Sequence, residues 1–203
     1  MVDKAHFDWH RPPYLLVQYT PKDGVFGHEV LVDIYNRLKK ESLYPVVFHD
    51  NPEMTLLEFM NFFSHPTVSL QIIVITEYGK FKDLAGIAWL SGVEEFAGKK
   101  RAVASFCAFA DYQSHPHTNA MGGFVLDYWF NCLDLDIIVG MTPAANALAV
   151  RYIKRIGFSE MCRIPGYSSL LGKITDCVVT YMNKDLYGAV YGGKHGIGAE
   201  ERG

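Results

Sequence analysis

The stretch "DYQSHPHTNAMGGFVLDYWF", Asp111 to Phe130, carries residue types whose spacing could do chemistry. Two histidines stand one residue apart, and a pair of small-residue positions follows before a helical pattern begins. Histidines at i and i+2 can share a zinc ion, but such a site needs three or four ligands. No cluster of cysteine, histidine or carboxylate nearby in the chain supplies the remainder, so no metal is expected. The other chemistry is phosphate binding. A helix start offers free N–H groups and a positive dipole end, and small residues let a diphosphate approach the backbone. On that reading the donors are the backbone amides of Asn119, Ala120, Met121, Gly122 and Gly123, with one more hydrogen bond from His117. The alternative is that Gly122 and Gly123 serve only close helix packing.

A second segment, "NALAVRYIKRIGF" (Asn146 to Phe158), places an Asn near a helix start, an Ala three residues on and a Gly-Phe pair at the helix end. Asn146 is a candidate for contacting a ligand, or simply a polar residue at a helix start.

The elements that must position these residues follow from the patterning. "YLLVQYT" (Tyr14 to Thr20) reads as a strand closed by the turn "PKDG". Leu31, Ile34, Tyr35 and Leu38 recur at helical spacing over Gly27 to Lys40. Asn51 as N-cap with Pro52 starts a second helix, whose Leu56, Leu57, Met60 and Phe63 face inward. "VSLQIIVIT", "DLAGIAWLS" and "RAVASFCAFA", joined by short Gly-Lys turns, predict an antiparallel meander. A buried helix after Ala120, the strand "DIIVGM", a helix capped by Thr142 with Pro143 at its first position, and strands at about Phe158 to Ile164 and Ile174 to Met182 complete the order. A strand–helix–strand unit flanked by meanders predicts an α/β protein with a mixed sheet and helices packed on it. Residues 1–187 read as one domain, and the glycine-rich 188–203 as a mobile tail.

The totals agree with one soluble domain. The chain has 203 residues, 49% of them hydrophobic, and a formal net charge of −3, which speaks against a nucleic-acid partner. No apolar run is long enough to span a bilayer and no signal-peptide core opens the chain. Cys107, Cys132, Cys162 and Cys177 lack Cys-x-x-Cys spacing, which predicts buried free thiols and a cytoplasmic location.

In element order, and in Asn146, Ala149, Gly157 and Phe158, the chain resembles the GNAT family of N-acetyltransferases. The resemblance covers nearly the whole chain. The family's pyrophosphate motif falls on His117 to Gly122, with His where the family has Gln or Arg and Ala120 where it has its first glycine. What the resemblance implies is a GNAT-like fold in which acetyl-CoA, or another acyl-CoA, lies where "RAVASFCAFA" and "DIIVGM" splay apart. Phe106 to Ala110, with Phe109 and Ala110 nearest the loop, then bind the pantetheine arm and polarise the thioester, and Asn146 contacts the cofactor. An amine of unknown identity attacks directly. The family's tyrosine acid falls on Ile153, so the neighbouring Tyr152, unless it is an ordinary packing residue of the helix, or else Tyr167 is left for that role. The base stays open among Glu94, Glu95, Asp111 and His115. The aromatic Phe7, Trp9 and Tyr14 would cover the acceptor side, form a homodimer contact, or belong to the core. The altered motif leaves a second possibility, a non-catalytic GNAT-like binding or assembly protein of the kind encoded by phages.

Overall fold

The computed structural model describes residues 9–11, 13–21 and 26–192. An eight-stranded mixed sheet runs β1 (Trp9–Arg11), β2 (Tyr14–Gln18), β3 (Val68–Glu77), β4 (Lys80–Phe96), β5 (Lys99–Ala108), β6 (Ile137–Pro143), β8 (Lys173–Asn183), β7 (Ser159–Leu170). Every neighbouring pair is antiparallel except β5 and β6. The expected meander and mixed sheet are thus present, with the short β1 added at the edge.

Helices cover both faces. On one lie α1 (Glu29–Lys40), α2 (Tyr44–Val47) and α3 (Leu56–Phe63); on the other lie α4 (His115–Asp127), α5 (Ala147–Arg155) and α6 (Lys184–Tyr191). The alternation of strand side chains splits the apolar residues between two cores. Leu16, Ile73, Ala88 and Leu90 point to α4, whereas Val17, Ile72, Ile87 and Trp89 point to α1 and α3. Where the two faces meet the sheet centre, the buried Gln71 accepts from Trp129 Nε1 at 2.9 Å and donates to Gln18 Oε1 at 2.8 Å. No polar group of that glutamine is left to cost desolvation.

Several boundaries differ from expectation, each for a local reason. The second helix starts at a capping box, in which Thr55 and Glu58 satisfy each other's backbone N–H groups, rather than at Asn51. That later start rotates the inward face, so Phe59 and Phe63 are buried and Leu57 is 67% exposed. β6 runs on through Thr142 and Pro143, paired with Val178 and Cys177, so Asn146 rather than Thr142 caps α5. β7 and β8 absorb most of the expected loop between them, through an irregularity between Ile164 and Ser168. α6 carries regular structure to Tyr191, four residues into the stretch read as tail; residues 193–203 lie outside the described residues. All four cysteines are free, but only Cys107 and Cys177 are buried. Among the described residues no helix is long and apolar enough to cross a membrane.

Candidate functional site

The one parallel pair is also the shortest ladder inside the sheet. β5 and β6 pair only through Arg101–Ile137, Ala102–Ile138 and Val103–Val139, and then part. Beyond that point β5 still pairs with β4, and Phe109 N–H donates to Ala85 O at 2.9 Å. Alternation along an antiparallel ladder therefore turns the backbone groups of Ala104, Phe106 and Ala108 toward β6, which is no longer there to meet them. The gap opens into a cleft of about 560 Å³, lined by β5 from Ala104 to Ala108, by β6 from Gly140 to Pro143, and by α2, α4 and α5. This is the size of an ordinary ligand site.

α4 begins at His115, with Ser114 as N-cap and Pro116 in its first turn, not after Ala120. Asn119 to Gly123 therefore lie in the second and third turns, where i→i−4 bonds use the amides. The loop-donor expectation for these residues is corrected on that ground. Their side chains go four ways. Ala120 is exposed and Met121 is buried in the core. Asn119 Oδ1 accepts from Arg155 Nε at 2.9 Å. A Cβ on Gly122 would stand 2.2 Å from the Tyr152 hydroxyl, and one on Gly123 would stand 3.1 Å from the Tyr191 ring. Both glycines thus admit a tyrosine, so the packing alternative describes them. His117 turns from the cleft and places Nδ1 2.5 Å from the Tyr14 hydroxyl.

Tyr152 lines the cleft, stacks on Phe106 with ring centroids 5.5 Å apart, and donates its hydroxyl to Thr118 O at 2.9 Å. Burial pushes its ionisation up. The hydroxyl ties α5 to α4 and is not presented to a ligand as an acid. Asn146 also lines the cleft, and its Oδ1 accepts from Ala149 N–H at 3.2 Å as the α5 cap.

Four further expected residues are placed elsewhere. Glu94 pairs with Arg101 at 2.9 Å, at the end of β5 opposite the cleft, because β4 continues to Phe96 instead of turning at Ser91. Glu95 stands beside it. Asp111 is 79% exposed and faces Arg37. The Arg37 guanidinium also binds Asp83 and Glu41, and lies 4.3 Å from the centroid of the fully buried Phe109 ring. Glu41 in turn accepts from the Ala110 N–H at 2.7 Å. The amides of Phe109 and Ala110 are thereby both taken, and Gln113 Nε2 donates to Ala108 O at 3.1 Å, so the open backbone edge shifts back to Ala104, Phe106 and the N–H of Ala108. Tyr167 sits exposed on β7. Phe7 and the side chains of Trp9 and His115 lie outside the described residues; Tyr14 belongs to the core.

Sequence reasoning missed three groups that do line the cleft: His49, Arg151 and Arg155. The arginines lie at i and i+4, one face of α5, and neither meets a carboxylate among the described residues. That spacing was present in "VRYIKR" and could have been read. Cys107 also lines the cleft, but burial, reinforced by the Glu41 charge, pushes its thiol up to about 12. It is no nucleophile at neutral pH.

At the sequence level no protein-family model and no curated protein matches the chain. Solved structures do match. Spermidine N-acetyltransferase from Vibrio cholerae, in complex with CoA and spermine, superposes with a TM-score of 0.68 at 18% identity, covering 85% of this chain and 97% of that one. Ribosomal-protein-S5-alanine acetyltransferase from Vibrio fischeri superposes with a TM-score of 0.64 at 14% identity, over 88% and 97%. The mixed sheet that parts between β5 and β6 is the fold of the GNAT acetyltransferases.

Proposed function

We propose that the chain is an acyl-CoA-dependent N-acyltransferase that passes an acyl group, in the simplest case acetyl, from acetyl-CoA to an amine by direct attack. The observation that carries this reading is the cleft between β5 and β6, with an unpaired backbone edge along one wall. A pantetheine arm is an extended chain of amides, and it would complete the ladder that β6 leaves unfinished, as a peptide does on a sheet edge. The Phe106 or Ala108 N–H then serves as the donor that polarises the thioester carbonyl. Asn146 binds the arm with the amide nitrogen that its capping role leaves over.

The diphosphate end lies where Gln113 and Thr118, at the start of α4, meet Arg151 and Arg155 of α5. Asn119 contributes by holding Arg155, and Gly122 by admitting Tyr152. Guanidinium groups thus replace the loop amides as the main anion donors. Cys107, held as a thiol, supports direct transfer over an acyl-cysteine intermediate.

One observation favours a second reading. The Tyr152 hydroxyl is committed to Thr118, which leaves no tyrosine acid for the departing thiolate and fits a domain that binds CoA without turnover. Calorimetry with acetyl-CoA and desulfo-CoA, followed by free-thiol detection over a panel of amines, separates the two. Micromolar binding with amine-dependent thiol release is expected. Binding without release favours the second reading, and no binding at millimolar acetyl-CoA sinks both.

A further inference from the structure

The segment from Leu43 to Asp50 follows α1, lines the cleft with Leu43, Val46, Val47 and His49, and reaches β7 at the far edge of the sheet. Phe48 anchors its middle by stacking on Trp89, centroids 5.4 Å apart and planes 9° from parallel. Its end is fixed on β7, where Ser169 Oγ donates to His49 O at 3.0 Å. Leu43, Val46, Val47 and Trp89 on this side, with Met141 and Pro143 of β6 opposite, form an apolar chamber next to the splayed strands.

His49 lines the same chamber with its side chain 15% exposed. Its Nδ1 lies 2.8 Å from Asp50 Oδ1 and 3.3 Å from the buried Ser168 Oγ. A carboxylate at that distance assigns the ring proton to Nδ1. Nε2 then carries the lone pair, and it has no hydrogen-bond partner among the described residues. The charged and titratable groups around it are few. Asp50 is on its own turn; β7 presents the hydroxyls of Ser168 and Ser169. The thiol of Cys177 on β8, which burial and then the Asp50 charge hold protonated, is near, and Arg151 stands on α5 along the same cleft.

We propose that this chamber is the acceptor subsite, that His49 Nε2 takes the proton of the incoming ammonium, and that the acceptor is a primary amine on an apolar body. The proposal rests on the acyltransferase reading above. The ammonium R–NH3+ gives one proton to Nε2. The freed amine attacks the thioester carbonyl, the C–N bond forms, and the C–S bond breaks. The nitrogen loses its second proton as the amide forms, one proton ends on the CoA thiolate and one passes to solvent. A polyamine fits poorly. Each further ammonium would need an anionic partner on burial, and the described residues lining the cleft include no carboxylate but two arginines.

The test uses the full chain with acetyl-CoA and, as acceptors, phenethylamine and spermidine. Phenethylamine is expected to show a kcat/KM at least tenfold higher. His49→Gln is expected to lower kcat by about 100-fold and to remove the acidic limb of the kcat/KM–pH profile. Its acetyl-CoA Kd, measured by calorimetry, should stay within twofold, which also shows that it folds. Asp50→Asn alters an exposed side chain and should lower kcat, because the carboxylate that holds the ring proton on Nδ1 is gone. His49→Gln with wild-type kcat and an intact limb, or a kcat that Asp50→Asn leaves unchanged, overturns the role of His49. Faster acetylation of spermidine, or bound acetyl-CoA with neither amine turned over, overturns the acceptor class. Failure of the wild-type protein to bind acetyl-CoA removes the acyltransferase reading itself.

Discussion

Aromatic rings pack on one another on both faces, but the α1–α3 face builds its cluster on phenylalanine and tryptophan, whereas the α4–α6 face uses stacked tyrosines whose hydroxyls also tie helix to helix. Phe48, Phe59, Phe63 and Trp89 form a continuous set of ring contacts, with centroids 4.9 to 6.2 Å apart. Across the sheet, Tyr152 and Tyr191 each donate to a backbone carbonyl, of Thr118 and Ile156, and Tyr187 donates to Asp127 at 2.6 Å. The difference teaches how one sheet can be sealed on one side and divided at its centre. Ring clusters spread their energy over many dispersion contacts. Hydroxyl ties act pairwise, join helix to helix, and leave the space between β5 and β6 unfilled. If so, substitutions on the first face should cost stability and spare ligand binding, and those on the second should affect both.

Phe59→Ala breaks the ring cluster most directly. The side chain is fully buried, and its loss should cost about 3–5 kcal/mol. Chemical denaturation measures this, and calorimetry on the remaining folded protein should give an unchanged acetyl-CoA affinity. An affinity loss larger than the unfolded fraction explains would erase the distinction between the faces.

Gly122→Ala probes the other face. A methyl group meets the Tyr152 hydroxyl at 2.2 Å, and overpacking of this kind costs about 1–3 kcal/mol. In a Tyr152→Phe background the nearest atom recedes to the ring carbon at 3.3 Å, so the same substitution should cost less than about 1 kcal/mol. Equal costs in the two backgrounds would show that Gly122 answers to something other than this tyrosine.

The glycine pair shows why part of the site was illegible in the sequence. Small residues ahead of an apolar helix are as compatible with a phosphate as with a ring packed from 30 residues downstream. Only the fold decides, by bringing α5 and α6 onto α4. The strands were legible because their apolar runs and glycine turns are local signals; the mixed sheet followed from the strand–helix–strand order, and the parting of β5 from β6 came only with the family resemblance. His49 was not. Its neighbours in the chain mark an apolar turn, and its partner Ser168 lies 119 positions away. Glu94 and Asp111 were misplaced for a related reason: polar residues after a strand suggest a cleft mouth, whereas β4 runs on and Arg37 gathers Asp111 to the opposite face.

Asn146 carries two roles that one pair of variants can part. Asn146→Ala removes the α5 cap and should cost about 1 kcal/mol. Asn146→Ser keeps a capping oxygen and should restore most of that stability, while the acetyl-CoA affinity stays low in both. Recovery of affinity along with stability would reduce Asn146 to a cap.

The smallest effect lies at the rim, where α5 meets β7. Glu160 accepts from Arg163 at 2.8 Å and from Lys154 at 2.5 Å, and these two bonds, Arg163 first, hold its carboxyl at about 2 rather than the ordinary 4.5. A carboxyl whose folded value is depressed binds its proton more readily in the unfolded chain. Its contribution is therefore complete above pH 4.5 and fades as the pH falls toward 2. All three groups are on the surface, so salt screens the contribution and keeps it small. Thermal melts of the wild type and Glu160→Gln should differ by a degree or so at neutral pH, converge through that window, and differ less in high salt. A difference that is independent of both pH and salt would mean that Glu160 joins α5 to β7 by packing its stem, not by its charge.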